Sequence, residues 1–134
     1  MFTLHPIGRV RSPLVDPAHA PKQGVEGAPD AWLDVDAAYA PGLRDVRVGD
    51  DVLVLTWLDR ADRTTLAVHP RDDPRVPLRG VFSTRSADRP NPIGLHRVRI
   101  LEIDGMHLRV SDLEAVDGTP VLDLKPVLDR AAER

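Results

Sequence analysis

Thirteen prolines and nine glycines, spread along 134 residues, divide this chain into short segments. Proline has no backbone N–H and kinks or ends a helix, so a long helix cannot run through such a sequence. No segment repeats apolar residues with the 3.6-residue period of an amphipathic helix over about eleven residues. The pattern therefore predicts an all-β, mainly antiparallel fold of many short strands, either a barrel or a sandwich.

The bulk composition is that of an ordinary globular domain. Hydrophobic residues make up 42% and charged residues 29%, with a net charge of -3, so any contact with a polyanion must come from a local patch. The absence of cysteine excludes disulfides, thiol nucleophiles and thiolate metal sites. No apolar run is long enough for a membrane span, and no secretory signal is visible. We expect one domain over residues 1–134, without a further C-terminal domain, in the cytoplasm and away from membranes.

Apolar spacing locates the strands. The strongest run is DVLVLTWL, residues 51–58, which is typical of a buried central strand. TTLAVH, residues 64–69, is predicted as its antiparallel partner. Asp104-Gly105 predicts a hairpin between strands at 98–103 and 107–110. Further short strands are predicted at 2–10 (irregular, at an edge), 31–36 and 121–126, and a helical turn at 37–43. Because aromatic residues are only 4% of the chain, aliphatic side chains must fill the core.

Residues 79–95, RGVFSTRSADRPNPIGL, combine prolines and glycines with hydroxyl, amide and guanidinium groups. Prolines lower the entropy that a loop loses on binding, and these polar groups form directional hydrogen bonds. The segment therefore resembles a rigid polar binding loop. A proline-rich connector with solvated arginines explains the residues about equally well.

Arginine is dense in this part of the chain. Six arginines fall within 25 residues that contain only the acid Asp88: Arg75, Arg79, Arg85, Arg89, Arg97 and Arg99. Such a patch suits phosphate, although acids from elsewhere in the chain could also pair with it. Asp117-Gly118-Thr119-Pro120 is a second polar turn. It could bind a ligand, or simply cap itself as an Asx turn.

Several chemistries find no support in the sequence. The histidines lack metal-ligand spacing, so no metal site is predicted, although His69 and His96 occupy interesting positions beside loops. No serine-hydrolase motif is present. Neither a Rossmann fingerprint nor a phosphate-binding P-loop is present.

Four motifs occur in one order that is characteristic of a known family. They are IGRVRSP (7–13), PKQG (21–24), the long segment 79–95, and DGTPVLDLKP (117–126). Together they resemble the signature of the TsaA-like family, which includes the TrmO enzymes that methylate N6-threonylcarbamoyladenosine in tRNA. The resemblance extends over about residues 4–128, nearly the whole chain.

The resemblance implies a compact β-barrel with a non-Rossmann site for S-adenosylmethionine (SAM), a homodimer, and methyl transfer to N6 of threonylcarbamoyladenosine at position 37 of tRNA. The residues that it places at the cofactor are Pro21, Lys22, Gln23, Asp59, Arg60, Arg85, Leu95, Asp117, Gly118, Thr119 and Pro120. The residues expected to meet the RNA are Arg75, Arg79, Arg89, Asn91 and Arg97.

Several residues depart from the family pattern, among them Ser83 and the Ala87-Asp88 pair. Lys22 replaces a common arginine, Asp59 stands where histidine is frequent, and Val127 replaces a tyrosine that commonly follows Lys-Pro. No general base is identified, and Asp117 and Asp59 are the candidates for accepting a proton. Two alternatives stay open: a SAM-dependent methyltransferase for a small molecule or another nucleoside, and a SAM-binding module without catalysis.

Overall fold

The computed structural model describes residues 1–16 and 27–129. In this part of the chain the strands are β1 (Gly8–Arg11), β2 (Ala31–Val35), β3 (Asp51–Trp57), β4 (Ala67–Val68), β5 (Arg79–Gly80), β6 (Ile93–Asp104), β7 (His107–Val110) and β8 (Pro120–Pro126). Short 3₁₀ segments occupy Ala37–Leu43, Pro70–Asp72 and Val81–Ser83. None of the described helices is long and apolar enough to cross a membrane.

Six strands are hydrogen-bonded side by side into one closed sheet, in the order β1-β2-β7-β6-β3-β8. Every neighbouring pair in this sheet is antiparallel. The strands β4 and β5 form a separate two-stranded sheet. The prediction of an all-β, mainly antiparallel fold with short helical turns is confirmed.

The interior of the closed sheet is filled with aliphatic side chains. Alternate residues of β3 and β6 point inward, so Val52 and Val54 are buried beside Val98 and Ile100. The rest of the cluster comes from the other strands and from the link before β8: Val10, Ala31, Leu33, Val35, Leu108, Val110, Leu113, Ala115 and Val121. Period-two alternation thus produces one core without any buried aromatic ring among its described members, as the composition indicated.

The predicted partner of the central strand is wrong. β3 pairs with β6 and β8, whereas residues 64–69 contribute only the two-residue β4, which pairs with β5. A central strand needs long partners whose inward residues match its own alternation. β6 and β8 have that length and pattern, whereas Leu66 in the predicted partner is 65% exposed.

Other boundaries moved by a few residues. β1 starts at Gly8, after Pro6, because proline cannot donate to a strand ladder. β6 starts at Ile93, inside the segment predicted as a loop. The predicted hairpin is present: Asp104 lies opposite His107, and Gly105 in the turn has a φ of 59°.

The links between strands divide between the two ends of the closed sheet. The end of β1 lies beside the start of β8, and the end of β3 lies beside the start of β6. Three links therefore leave from the same end: 12–30, 58–92 and 111–119. We call it the motif end, because all segments with functional motifs follow or precede strands there. Residues 36–50 and the β6–β7 turn lie at the opposite end.

Candidate functional site

The Asp117-Gly118 turn is fastened to the residues that follow β1. The Asp117 backbone N–H donates to the Leu14 carbonyl at 2.6 Å, and its Oδ1 accepts the Ser12 N–H at 3.0 Å. The Gly118 N–H donates to the Val10 carbonyl at 2.7 Å, and the φ of Gly118 is 83°, which favours glycine. Two motifs that are about a hundred residues apart in sequence therefore form one unit.

A second link reaches the same residues from the other side. Arg60 donates from Nη1 to the carbonyl of Val15 at 3.2 Å. The chain after β1 is thus held by both Asp117 and Arg60, which are predicted cofactor contacts. Pro21, Lys22 and Gln23, which follow in sequence, lie outside the described residues.

The segment 81–89 holds itself together through Arg89. The guanidinium donates from Nη1 to the carbonyls of Thr84 and Ser86, both at 3.0 Å, and from Nη2 to that of Val81 at 2.9 Å. The Ser83 hydroxyl closes the preceding turn by donating to the Gly80 carbonyl. The loop is rigid because its polar groups satisfy one another. Arg89 therefore organises the loop, a role that the sequence did not indicate.

This loop is docked on the segment that follows β3. Asp88 accepts the Asp62 N–H at 2.9 Å, and the Arg89 N–H donates to the Asp62 carbonyl at 3.0 Å. Arg63 donates from Nε to the Pro90 carbonyl at 2.8 Å. The long signature segment and the Asp59-Arg60 pair are thereby brought into one rim at the motif end.

Charges along this rim are kept in place by short hydrogen bonds. Thr64 donates from its N–H and its hydroxyl to Asp62 Oδ1, each at 2.7 Å, and these bonds hold the pKa of Asp62 below its usual value. The Arg63 guanidinium lies over the Trp57 ring, 5.1 Å from its centre. The rim is therefore a fixed arrangement of charges before any ligand arrives.

The remaining side chains that were predicted to bind cofactor or RNA differ in whether they already have a partner in the protein. The side chains of Arg79 and Arg85 are exposed and form no hydrogen bond or ion pair with described residues. Arg97 is exposed on β6, and the pKa of Asp51 is lowered mainly by a hydrogen bond from Arg99, with the charge of Arg97 adding to the effect. Arg75 is paired with Asp73 at 2.9 Å, and the amide oxygen of Asn91 accepts from Arg63 at 3.3 Å.

The predicted walls of the site are of two kinds. Leu95 is 41% exposed on the outer face of β6. Thr119 is buried and donates its hydroxyl to the Val116 carbonyl at 2.7 Å, and Pro120 is buried beside it. Gly118 alone of these three turn residues exposes its backbone.

Neither candidate for the general base is positioned by a partner that would activate it. The Asp117 carboxylate accepts a backbone N–H and holds two loops together. Asp59 is exposed and makes no hydrogen bond or ion pair within the described parts of the chain. The described residues therefore supply binding and alignment more clearly than proton transfer.

A chain of hydrogen bonds in the interior near the motif end was not predicted from the sequence. Thr56 Oγ1 lies 2.7 Å from His96 Nε2, and His96 Nδ1 lies 2.5 Å from Glu114 Oε1. Thr56 is fully buried, so its hydroxyl cannot meet a substrate as a nucleophile. The signal was available in the alternation, because Thr56 and His96 both occupy inward positions of apolar strands.

Two clefts among the described residues lie elsewhere. One, of about 400 Å³, is lined by Pro6, Gly8, Arg9, Asp34 and Asp36. The other, of about 370 Å³, lies between the 3₁₀ segment 37–43 and β8. Neither includes a predicted cofactor residue, so we base the site on the convergent motifs.

Comparison with known proteins bears on this site. Residues 9–132 match the family described as the tRNA-methyltransferase O N-terminal domain. A "Probable S-adenosyl-L-methionine-binding protein" of Archaeoglobus fulgidus is 44% identical over 126 residues, which are 94% of this chain and 34% of that protein. An "S-adenosyl-L-methionine-binding protein" of the same organism is 43% identical over 91% of this chain and 86% of its own length.

Solved structures agree in fold. The crystal structure of TrmO from Pseudomonas aeruginosa is 28% identical and superposes with a TM-score of 0.74, covering 100% of this chain and 60% of that one. A further TrmO structure has 29% identity and a TM-score of 0.76, with 62% of its chain covered. The present chain thus spans about a third of one curated relative, most of another, and about three-fifths of these structures.

Proposed function

Since this chain belongs to the tRNA-methyltransferase O N-terminal domain family, we propose that it is a SAM-dependent methyltransferase acting on N6 of threonylcarbamoyladenosine at position 37 of tRNA. The names of both Archaeoglobus relatives support SAM as the cofactor. The family description, which names a tRNA-methyltransferase, supports methyl transfer as the reaction.

One observation carries the proposal: the motif-bearing links all leave from the same end of the closed sheet and are bonded to each other there. Asp117 holds Ser12, Arg60 holds Val15, and Asp88 holds Asp62. The first pair is separated by 105 residues in sequence, so local turn formation does not explain it. An arrangement that assembles distant polar loops around one rim is typical of a binding site.

The chemistry of the rim fits the parts of SAM. The Arg85 guanidinium has no partner among the described residues and is suited to a carboxylate. Leu95 presents exposed apolar surface for a flat base, and Gly118 exposes backbone for hydrogen bonds. When bound, the sulfonium supplies a methyl group that is already activated toward a nucleophilic nitrogen. The protein then needs mainly to align the reactants, which contributes up to about 7–11 kcal/mol in ideal cases.

A tRNA acceptor suits three exposed arginines, two in the link between β3 and β6 and one on the outer face of β6. Arg79, Arg85 and Arg97 are exposed, and the first two have no described partner. A chain with a net charge of -3 needs such a local patch to approach a phosphate backbone. The target base must be unstacked to reach the rim. Such a substrate implies that the protein acts in the cytoplasm.

The outer face of β3 and β6 suits a second copy of the chain. Trp57 lies opposite Ile93, which is 44% exposed. This apolar pair on the outside of a closed sheet supports a homodimer. Light scattering of the purified protein tests it, with Ile93→Glu as the interface variant and Leu66→Glu as a control at an exposed residue outside the closed sheet. A monomeric wild type contradicts the dimer.

Labelled SAM provides the test of activity. The acceptors are total tRNA from cells that lack this methyltransferase, and tRNA from cells that cannot form threonylcarbamoyladenosine. We expect label in the first pool and none in the second. Label in a small-molecule extract alone would favour a different acceptor. SAM binding by calorimetry without label in any pool would favour a non-catalytic module.

A further inference from the structure

The buried chain formed by Thr56, His96 and Glu114 takes no part in the proposed contacts with cofactor or RNA. The His96 side chain is 4% exposed, and each ring nitrogen contacts a side chain from another part of the fold. Nε2 joins β6 to Thr56 on β3, and Nδ1 joins β6 to Glu114 in the link before β8. One imidazole therefore connects three elements.

Stability alone does not explain polar groups at this position. The neighbouring interior is aliphatic, including Val54 and Val98, and an apolar side chain would fill the same space. Among the described residues, every buried side-chain nitrogen or oxygen has a hydrogen-bond partner. Such a fully paired network favours one relative arrangement of its elements over others, which apolar packing does less strictly.

The network lies directly beside two walls of the proposed site. Thr56 is opposite Gly94 and Val121 in the sheet register. Gly94 precedes Leu95, and Val121 follows Pro120. Glu114 lies three residues before Asp117. The imidazole thus sits where β6, β3 and the Asp117–Pro120 turn come together.

The backbone approaches the network closely at this point. A Cβ placed on Gly94 would lie 2.3 Å from Thr56 Oγ1 and 2.6 Å from His96 Nε2. The start of β6 therefore rests on the network without an intervening side chain. A shift of the imidazole moves the strand that carries Leu95.

We propose that His96 is a positioning residue that sets the separation between Leu95 and the Asp117–Pro120 turn, through its bonds to Thr56 and Glu114. In the neutral ring, Nδ1–H donates to the Glu114 carboxylate, and Nε2 accepts from the Thr56 hydroxyl. Glu114 thereby selects the tautomer that Thr56 can bind. This inference rests on the proposed function for the identity of the ligand, SAM.

Substitutions at Glu114 test the proposal without altering the proposed contacts. Glu114→Leu removes the acceptor, whereas Glu114→Gln retains an oxygen that can accept from Nδ1. Val35→Ala is the control. Val35 is buried at the opposite end of the sheet, so this substitution destabilises the core far from the network. The measurements are the SAM dissociation constant by calorimetry and amide hydrogen exchange of Asp117 and Gly118.

We expect Glu114→Leu to weaken SAM binding about tenfold, within the range typical of linked sites, and to accelerate both amides by a similar factor. In Glu114→Gln the SAM dissociation constant and the two exchange rates stay within about threefold of wild type. Val35→Ala does not selectively accelerate exchange at either amide. If Glu114→Leu does not fold, Thr56→Val, which removes the hydroxyl at nearly constant shape, replaces it with the same expected losses.

Equal exchange at Asp117 and Gly118 in Glu114→Leu and Val35→Ala would overturn the positioning role, whatever the affinity for SAM. If the turn is selectively loosened in Glu114→Leu but the wild-type protein does not bind SAM, the positioning role stands and the proposed cofactor is refuted. The two failures are therefore distinguishable, since exchange is measured without ligand.

Discussion

Arg85 and Arg89 show how two residues of the same type in one loop acquire different roles. The Arg89 guanidinium is half-buried and donates to three backbone carbonyls. Arg85 is exposed and has no described partner. A guanidinium has five N–H donors in a fixed plane, which suits it to gathering carbonyls of one loop. Burial and geometry, rather than residue type, separate the loop organiser from the ligand candidate.

Arg89→Ala is therefore expected to lower the free energy of unfolding by about 2 kcal/mol, because hydrogen bonds to a charged group are lost. Arg89→Lys does not restore the loss, since an ammonium cannot reach all three carbonyls. Arg85→Ala, which removes the same charge, changes stability by less than about 0.5 kcal/mol. Chemical denaturation measures all three, and equal losses at both arginines would contradict the assignment.

Gly94 offers a second test at single-residue resolution. Gly94→Ala places a methyl group within 2.3 Å of Thr56 Oγ1, so we expect a loss of about 1–3 kcal/mol from overpacking. Gly42→Ala is the matched control, because a Cβ at Gly42 meets nothing within 4 Å. Thermal unfolding compares the two, and a neutral Gly94→Ala would mean that the close approach relaxes freely.

At the scale of elements, the outer face of β1, β2 and β7 is tied by a small charged cluster. Asp34 on β2 accepts from Arg11 at 2.9 and 3.0 Å and from His107 Nδ1 at 2.7 Å. The Arg11 bond above all, with His107 contributing less, keeps the pKa of Asp34 below its usual value, although burial acts against this. Three adjacent strands of the closed sheet thus share one carboxylate.

This cluster predicts a pH dependence of stability. A carboxylate whose pKa is lowered by folding stabilises the protein above its unfolded pKa, about 3.9, and that contribution is lost as the pH falls through the folded value. Asp34→Asn should therefore cost about 0.5–1 kcal/mol at pH 7, a small amount because the cluster is partly exposed. The difference from wild type should shrink below about pH 4.

Asp36→Asn serves as the control, since Asp36 is exposed next to β2 and its carboxylate has no described hydrogen bond. Denaturation midpoints across the pH range measure both variants. A difference between wild type and Asp34→Asn that is constant down to pH 3 would show that the carboxylate charge is not what stabilises these strands.

At the scale of the whole molecule, the two ends of the closed sheet carry different kinds of links. The motif end gathers the segments around Asp117, Arg60 and Asp88, which are bonded to one another. The opposite end carries the 36–50 link and a tight turn. A net charge of -3 hides this asymmetry, because function at the motif end depends on where the arginines lie.

The asymmetry predicts which arginines contribute to RNA affinity. Arg79→Gln with Arg97→Gln should weaken tRNA binding and reduce the slope of log K against log salt by about 1.4–1.8, for two lost phosphate contacts. Arg44→Gln with Arg47→Gln, at the opposite end, has the same change in charge and should leave the slope unchanged. Filter binding over a range of salt concentrations measures the slopes, and equal slopes in both double variants would exclude an RNA surface that includes Arg79 and Arg97.

How far the sequence could be interpreted depended on the range of the interactions. The strand at 51–57 and the hairpin at Gly105 were predicted well, because alternation and a positive φ are local properties. The partner of β3 was predicted wrongly as 64–69 rather than β6 and β8. Strand pairing is decided by matching inward faces across tens of residues, which no local window contains.

The candidate site, like the fold, was predictable from the sequence only in part. The motifs at 79–95 and 117–120 were visible in the sequence, and so was the family that they resemble. The organising role of Arg89 and the Thr56–His96–Glu114 network were not, since each depends on atoms brought together from distant positions. The one indication of the network in the sequence was a polar residue, His96, at a position where the strand alternation predicts a buried side chain.

The sequence by itself therefore determined the class of fold, the aliphatic core and the identity of the motifs, because composition and short-range periodicity are written into neighbouring residues. The tertiary structure alone decided which strands are neighbours, that the motif-bearing links share one end, and which arginines remain available. Those properties follow from closure of the sheet. The hydrogen bonds between Ser12 and Asp117 and between His96 and Glu114 join distant segments, and they form only when the whole fold is complete.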